Sequence, residues 1–532
     1  MTHLACTGSA SRIATAAGVL KNYTGLGGTG IPAGSSKFPR SHPPMKSYHL
    51  LPLLIILALA PLSALSGVVP SEPPVKPNII YILLDDAGYG DFGCYGQKTL
   101  RTPNIDRLAS EGMKFTRHYA GSTVCAPSRC VLMTGLHTGH SRVRANGPSH
   151  LPDTDLNVAR LLKDAGYLTA CIGKYGLGMP LPPDDPQKKG FGYSFGYVDT
   201  AHAHNGYPTY LFRNGAKVSL DNQIIPGSDN KPGTGVAPID GRKQWAPQLL
   251  AEEVQRYLAE RAKDRSKPFF LYYTPILPHA NNEADETSPL GHGMEAPADP
   301  EFAARDWPAV EKAFASAMKF VDRDVGAVMA QLKALNLDEN TIVMFSSDNG
   351  PHQEGGHNAA FFQSSGGLTG TKRDLTEGGV RVPFIVRWPG KIKAGTVNEH
   401  VSGFQDLMPT AADLAGVKVT AECDGISFLP TVLGNNAQQK QHPYLYWNFN
   451  EQGGKRSALK WPWKLIHRNT ASADPSGQSS AKKKKPAEGK SLIVELFNLD
   501  RDPTESANLA SANPQVVEEL TAYMQQAWRD PK

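Results

Sequence analysis

The chain has 532 residues, 40% hydrophobic and 20% charged, which is enough apolar sequence for a large core and excludes disorder for the bulk of it. Its 55 basic and 50 acidic residues leave +5, and Arg12, Lys21, Lys37, Arg40 and Lys46 account for all of that excess, because residues 1–66 hold no Asp or Glu. The rest of the chain is neutral, so nothing in its charge balance points to nucleic acid or an anionic membrane as a partner.

In chain order, residues 1–44 are rich in Gly, Ser, Ala and Pro and show no periodicity. Met45-Lys46 then lead into LLPLLIILALAPLSALSG. A basic start, an apolar stretch of roughly a dozen residues and a small-residue exit at Ala64 and Ser66 predict a leader and signal peptide over 1–66, with Met45 as the candidate true start. Pro52, Pro61 and the shortness of the run argue against a spanning helix. The expectation is an exported protein, periplasmic or secreted, with no stable membrane anchor.

NIIYILL (78–84) is a short apolar run that predicts a buried strand. TPNIDRLASEG predicts a helix with Thr102 as N-cap, Pro103 in its first position and Gly112 at its stop. VCAPSRCVLMTG (124–135) predicts a helix opening at Cys125 and closed by Gly135. LNVARLLKDAG is a further helix, followed by the strand YLTACIG. PFFLYYTPIL is another strand. AVEKAFASAMKFVDRDVGAVMAQLKAL is a long amphipathic helix, with the strands TIVMFSS and VPFIVRW after it. This βαβ rhythm predicts an α/β domain over 77–430, a large, mostly parallel sheet between helices. From 431 to 532 the texture changes. HPYLYWNF, WKLIH and SLIVELFNL, closed by PQVVEELTAYMQQAW, predict a smaller C-terminal antiparallel sheet with a helix. The polar, lysine-rich tract near 469–490 predicts a disordered, solvated loop rather than a polyanion contact.

Of six cysteines, Cys6 lies in the leader. The other five, Cys94, Cys125, Cys130, Cys171 and Cys423, leave at least one unpaired thiol and form no CxxC, which argues against zinc or thioredoxin-like chemistry. Cys125, beside Pro127 and Arg129 at the mouth of a helix, is the best candidate for special chemistry.

Ligands of open α/β sheets bind at the C-terminal edge of the strands. Asp85 and Asp86 follow NIIYILL, Lys174 follows YLTACIG, His279 follows PFFLYYTPIL, and Asp348 and Asn349 follow TIVMFSS. Three carboxylates so close would raise one another's pKa unless a cation sat among them, and an all-oxygen set suits Ca²⁺ or Mg²⁺. Lys174, His279, Lys372 and Arg129 add positive charge, as an oxygen-rich anion would require. The N-terminus of the Cys125 helix favours an anion at the same point, Pro127 suits its first turn, and Arg129 would return toward Cys125 one turn on.

Cys125-Ala126-Pro127-Ser128-Arg129, followed by CVLMTGLHTGH, resembles the signature of type I sulfatases. IIYILLDDAGYGDFGCYG, LRTPNIDRLASEGMKFTRHYA, GKYGLG, FSSDNGPH and GTKRDLTEGGVRVPFIVRWPGK resemble that family too, so the likeness runs from about residue 77 to the C-terminus. It implies the alkaline-phosphatase-like sandwich with a smaller C-terminal subdomain. It implies that a maturation enzyme oxidises Cys125 to Cα-formylglycine, whose hydrated aldehyde attacks sulfur. Asp85, Asp86, residue 125, Asp348 and Asn349 would bind Ca²⁺, with Mg²⁺ less favoured. Arg129 would orient the diol, Lys174 and Lys372 would hold the sulfate, and His279 would protonate or steer the leaving oxygen.

One departure stands out. Where the family reads Gly-Lys-Trp-His-Leu-Gly, this chain has Gly176 in place of the histidine. His202 and His204 are candidate replacement bases, and His352, Glu354 and His357 candidate substrate contacts. The expected substrate is a sulfated carbohydrate or an aryl sulfate. The stretches LPHANNEADE and HQEGGHNAAFF resemble bacterial polysaccharide sulfatases, on galactose or N-acetylgalactosamine sulfate. The alternatives are a phosphonate monoester or phosphodiester hydrolase of the same superfamily and, in a different class, an inactive sugar-binding homologue.

Overall fold

The computed structural model describes residues 44, 76–147, 150–178, 184–227, 233–470 and 491–530. The chain divides into two units, Met1–Pro70 and Ser71–Lys532, and the described sheets and helices belong to the second. The predicted leader and signal peptide, save residue 44, and all but the first two residues of the predicted loop near 469–490, lie outside the described residues. No described helix is long and apolar enough to cross a membrane.

Every residue of the Asn78–Leu84 strand is buried, so its sequence reads as an unbroken apolar run. It pairs in parallel with Thr341–Ser347 on one side and Phe269–Thr274 on the other. Leu168–Lys174 and Tyr193–Tyr197 extend the parallel set. Phe384–Arg387 runs antiparallel beside Thr341–Ser347, and Tyr210–Arg213 antiparallel beside Tyr193–Tyr197, inside a ten-stranded sheet. Alternate residues feed two cores: Ile80, Ile82 and Leu84 face one, Ile79, Tyr81 and Leu83 the other. Helices Ala246–Lys263 and Ala309–Ala334 cover the first face. Helices Cys125–Thr134, Val158–Asp164 and Leu407–Ala415 cover the second.

One predicted cap is replaced. The Thr102 side chain does not cap helix Pro103–Ser110; its hydroxyl accepts from Gly93 N (2.8 Å) and lies 3.2 Å from Asp106 Oδ1. The free N–H groups of Asn104 and Ile105 instead donate to Asp322 Oδ1 at 2.9 Å each, a cap supplied by the Ala309–Ala334 helix.

The C-terminal sheet has four antiparallel strands, Leu445–Phe449, Lys455–Lys460, Trp463–Arg468 and Ile493–Asn498. Helix Pro514–Gln526 packs Leu520 and Met524 on one face of it. The other face packs Trp447, Ile466 and Phe497 against Tyr119, Val124, Leu375 and Val380. This second sheet therefore supports the residue before Cys125 and the loop that carries Lys372.

Beneath that contact Lys464, fully buried, lies 2.8 Å from Glu377 Oε1 and 3.0 Å from Glu505 Oε1. Two carboxylates share one ammonium, so one keeps its proton: burial and Glu377 push Glu505 up to about 7 despite Lys464. An unfolded glutamate ionises near pH 4.3. Between those values the unfolded chain loses a proton that the fold retains, so this group's contribution falls as pH rises from about 4 to 7. Glu505→Gln, which mimics the protonated form, should match wild type at pH 4 and exceed it by up to about 3 kcal/mol above pH 7. Thermal melts of the two proteins across that range would test this; a pH-independent difference would contradict it.

Candidate active site

The carboxyl ends of the central strands converge. Asp85 continues the Asn78–Leu84 strand into a bridge with Pro278, its N–H donating to Leu277 O at 3.1 Å. Asp86 turns into the left-handed region, φ 70°, which the short polar side chain of Asp tolerates better than most. The turn aims its N–H at Asp348 Oδ1, 3.1 Å away. Asp348 follows the neighbouring strand and donates its own N–H to Leu84 O at 3.0 Å.

Asn349 Nδ2 donates to Asp86 Oδ1 at 2.7 Å and to Gly350 O at 2.9 Å. Its Oδ1 is buried and has no partner among the described residues. Asp85, Asp86 and Asp348 are fully buried beside it. Ligand atoms of Asp85, Asp86, Cys125 and His279 all lie within 4.8 Å of one another. An orphaned amide oxygen among three buried carboxylates is a hard-oxygen donor set, and it fits a Ca²⁺- or Mg²⁺-type cation.

The cations are equally placed. Lys174 Nζ lies 2.7 Å from Asp85 Oδ2. Lys372 Nζ lies 2.7 Å from both Asp86 Oδ2 and Glu354 Oε2, and 3.2 Å from His279 Nε2. Arg129, fully buried, grips Asp348 Oδ2 with Nε (3.0 Å) and Nη2 (2.9 Å), and donates Nη1 to Lys174 O at 2.8 Å. Arg129 Nη2 also lies 3.5 Å from Asp85 Oδ1, the oxygen that Cys125 Sγ approaches at 3.3 Å, so the guanidinium comes back toward Cys125 through Asp85 while it holds Asp348 Oδ2.

Charge divides unevenly over the three carboxylates. Burial pushes Asp85 up, but Lys174, His279 and Arg129 outweigh it and hold it well below the ordinary range. Asp86 is likewise lowered, with Lys372 overcoming burial. Asp348 carries the remaining repulsion: burial and Asp85 push it up to about 7.

Cys125 opens its helix as predicted, with Sγ 3.3 Å from Asp85 Oδ1. A helix N-terminus lowers a thiol's pKa, yet here burial, Asp348 and Asp85 hold it well above the usual value. The unmodified thiol is therefore protonated and a poor nucleophile. All five cysteines among the described residues are free thiols. Ser128, inside the same motif, accepts from Gly121 N (3.1 Å) and donates to Asp348 O (2.5 Å), a positioning role that composition and spacing did not reveal. Asn146 Oδ1 takes the N–H of Ala126 at 2.9 Å.

His279 Nδ1 lies 2.5 Å from Ala280 O, and a carbonyl only accepts, so Nδ1 carries the proton and Nε2 presents a lone pair to Lys372. Burial and Lys372 lower its pKa to about 3. The two loop histidines part company. His204 stacks on His279, ring centroids 4.8 Å apart and 11° from parallel, with Nδ1 3.4 Å from Glu283 Oε1. His202 is buried against Tyr197 and Tyr210, centroids 4.9 and 4.4 Å away, and neither of its ring nitrogens has a partner among the described residues. It fills an aromatic cage beside the Tyr210–Arg213 strand and is not brought to the catalytic cluster.

His352 is committed to backbone, with Nε2 3.0 Å from Pro278 O and Nδ1 accepting from Glu354 N at 3.1 Å. That makes it a loop tie with no nitrogen left for a substrate. His357 is held by Glu311 Oε2 at 2.7 Å and stacks on Phe314. Glu354, considered for substrate contact, pairs with Lys372 and Arg373. Gly176 has φ 73°, and a Cβ there would stand 3.0 Å from Arg129 Cδ. The backbone and Arg129 are thus fitted to the absence of a side chain.

The Sulfatase family profile matches residues 77–417, and the profile described as N-sulphoglucosamine sulphohydrolase, C-terminal, matches residues 370–472. The chain is 30% identical over 508 residues to N-acetylgalactosamine-6-sulfatase of Canis lupus familiaris, covering 89% of each. It is 30% identical over 510 residues to arylsulfatase A of Homo sapiens, covering 88% of this chain and 89% of that one. A solved sulfatase of Bacteroides thetaiotaomicron, described under the metabolism of multiple glycosaminoglycans, superposes with TM-score 0.66 at 26% identity, over 85% of this chain and 99% of the other. The structure of Ps i-CgsB in complex with k-i-k-neocarrahexaose superposes with TM-score 0.65 at 25% identity, over 85% and 93%.

Proposed function

The chain belongs to the sulfatase family of hydrolases, and from that premise we propose that it cleaves sulfate esters of an extracellular sulfated glycan after conversion of Cys125 to formylglycine. The carrying observation is a reactive-residue motif buried against an oxygen-only donor set, with its thiol held protonated. A cysteine kept neutral between two carboxylates is ill suited to attack as a thiolate; its oxidised, hydrated form would supply an oxygen nucleophile there. Asp85, Asp86, Asp348, Asn349 and residue 125 would hold Ca²⁺, which when bound neutralises the carboxylates and polarises sulfate oxygens.

The chain's own residues do the rest. Lys174 and Lys372 bind the sulfate oxygens as point charges in a buried site. Arg129 fixes Asp348 and, through Lys174 O, the strand end that carries Lys174. The proton for the leaving oxygen sits on the Lys372–His279 pair, since His279 alone is neutral. His204, stacked on His279, is the base that Gly176 leaves wanting. The relatives' names favour a sugar sulfate such as that of N-acetylgalactosamine, and the apolar leader favours export.

The test is a side-by-side assay of a sulfate monoester, a phosphodiester and a phosphonate monoester, with mass spectrometry of the peptide containing residue 125. Preferred turnover of the phosphonate, or an unmodified thiol in fully active protein, would overturn the reading. The two histidines should then separate. His204→Ala should lower kcat by about 10²- to 10⁴-fold, the scale for losing a general base, and show a burst of alcohol release before slow turnover. His279→Ala should slow release itself, more for sugar than for aryl leaving groups. A His204→Ala enzyme with wild-type kcat and no burst would remove that residue from the mechanism.

A further inference from the structure

Away from the catalytic cluster, a cavity of about 810 Å³ opens between the starts of helices Pro103–Ser110 and Ala246–Lys263 and the middle of Ala309–Ala334. Its volume falls in the range of small-ligand sites. Its floor is aromatic: Trp245 meets Phe320 edge to face at 4.7 Å, and Phe302 lies alongside. Its walls carry Arg101, Lys243, Arg305 and Arg323, all exposed. Among the described residues none of the four makes an ion pair. The local acids are already engaged: Asp299 and Glu301 by Lys319, each at 2.8 Å, and Asp322 by the two N–H groups it caps. Arg323 lies over the Phe320 ring at 4.8 Å and Arg305 over that of Trp307 at 5.4 Å, and with Lys319 the lining carries five cations against the three carboxylates Asp299, Glu301 and Asp322, an excess of positive charge beside an aromatic floor.

A second cavity, about 390 Å³, shares Pro297, Ala298, Asp299 and Ser316 with the first and continues to Arg242 and His292. Next to His292, Gly293 N donates to Gly355 O at 2.8 Å, and the preceding Glu354 holds Lys372. The two cavities are thus adjacent along a shared wall, a track whose His292 end is tied through Gly293 and Gly355 to the loop that holds Lys372.

We propose that this track is a second binding site for an anionic polysaccharide, taking further sulfated sugars of the chain whose ester is being cleaved. Sulfate groups would meet the four cations and sugar rings the aromatic floor. The proposal rests on the sulfatase reading for its substrate, but the site itself can be tested apart from turnover.

The experiment measures binding of dextran sulfate, with neutral dextran as reference, to the full-length Cys125→Ala protein. The groove variant adds Arg101→Gln, Lys243→Gln, Arg305→Gln and Arg323→Gln; a control adds Lys391→Gln and Lys393→Gln, exposed cations outside the track. The groove variant should bind dextran sulfate at least about tenfold more weakly, with a shallower salt dependence because fewer counterions are released. The control and neutral dextran should show no such effect. The four substitutions placed in Cys125-containing enzyme should leave hydrolysis of 4-nitrophenyl sulfate unchanged, which also certifies the fold. Absence of dextran sulfate binding, an equal loss in the control, or unaltered affinity and salt slope in the groove variant would overturn the site. Failure of wild type to cleave any sulfate ester would instead overturn the catalytic reading and leave the binding result standing.

Discussion

Cys125→Ala is expected to lose sulfate ester hydrolysis by at least about 10⁴-fold, the scale at which removing a nucleophile leaves only binding and electrostatics, while the fold survives. The side chain is 2% exposed and its one polar contact is with Asp85. Replacing Sγ by hydrogen opens a space of one atom, a cost of about 1 kcal/mol, and removes no ion pair. Asp85 keeps Lys174, and Asp348 keeps Arg129. Melting temperature should therefore stay close to wild type as activity disappears, while Ca²⁺ binds more weakly for want of residue 125 as a ligand, which separates chemistry from collapse. Cys125→Ser should behave in the same way in any host whose maturation enzyme accepts only cysteine. Wild-type turnover by the alanine variant would end the formylglycine mechanism.

Much of this site could be read before any coordinates because two independent regularities met. Strands Asn78–Leu84 and Thr341–Ser347 are covered on both faces, so each shows an apolar run, Ile79 to Leu84 and Ile342 to Phe345, and the residues just beyond such a strand stand at the binding edge. That rule alone brought Asp85, Asp86, Lys174, His279, Asp348 and Asn349 together. It fails where burial is set by distant partners. His202 and His204 are two residues apart in one loop, and only packing against Tyr197 and Tyr210 sends the first into a cage and leaves the second beside His279. Lys455–Lys460 does not read as a strand because lysines and an arginine fill half of it, and its buried apolar residues are only Ala458 on one face and Leu459 on the other. Helix Ala246–Lys263, absent from the predicted elements, does carry a buried stripe at Leu250, Val254, Tyr257 and Leu258. The capping of helix Pro103–Ser110 by Asp322, more than two hundred residues away, has no local signature at all.

Removal of the metal should have an effect of the same order. Treatment with a chelator is expected to reduce turnover by more than about 10³-fold, because the site would lose its largest positive charge just where sulfate oxygens must be held. Ca²⁺ should restore it. In the chelated protein the three carboxylates face one another directly, and Asp348 retains its proton up to about pH 7. An entering cation must displace that proton. Ca²⁺ affinity, measured by calorimetry on chelated protein, should therefore fall by about tenfold per pH unit below 7 and level off above it, with about one proton released per ion on the acid side. Asn349→Ala deletes the one oxygen that has no other partner. It should weaken Ca²⁺ binding across the whole pH range without altering that slope, since Asp348 still titrates. Asp348→Ala should abolish binding outright, and it should also destabilise the fold, by about 3–5 kcal/mol, because Arg129 would be left buried without its main carboxylate. Ca²⁺ affinity independent of pH from 5 to 8, or active protein that carries only zinc, would contradict the assignment of these oxygens as the metal's ligands.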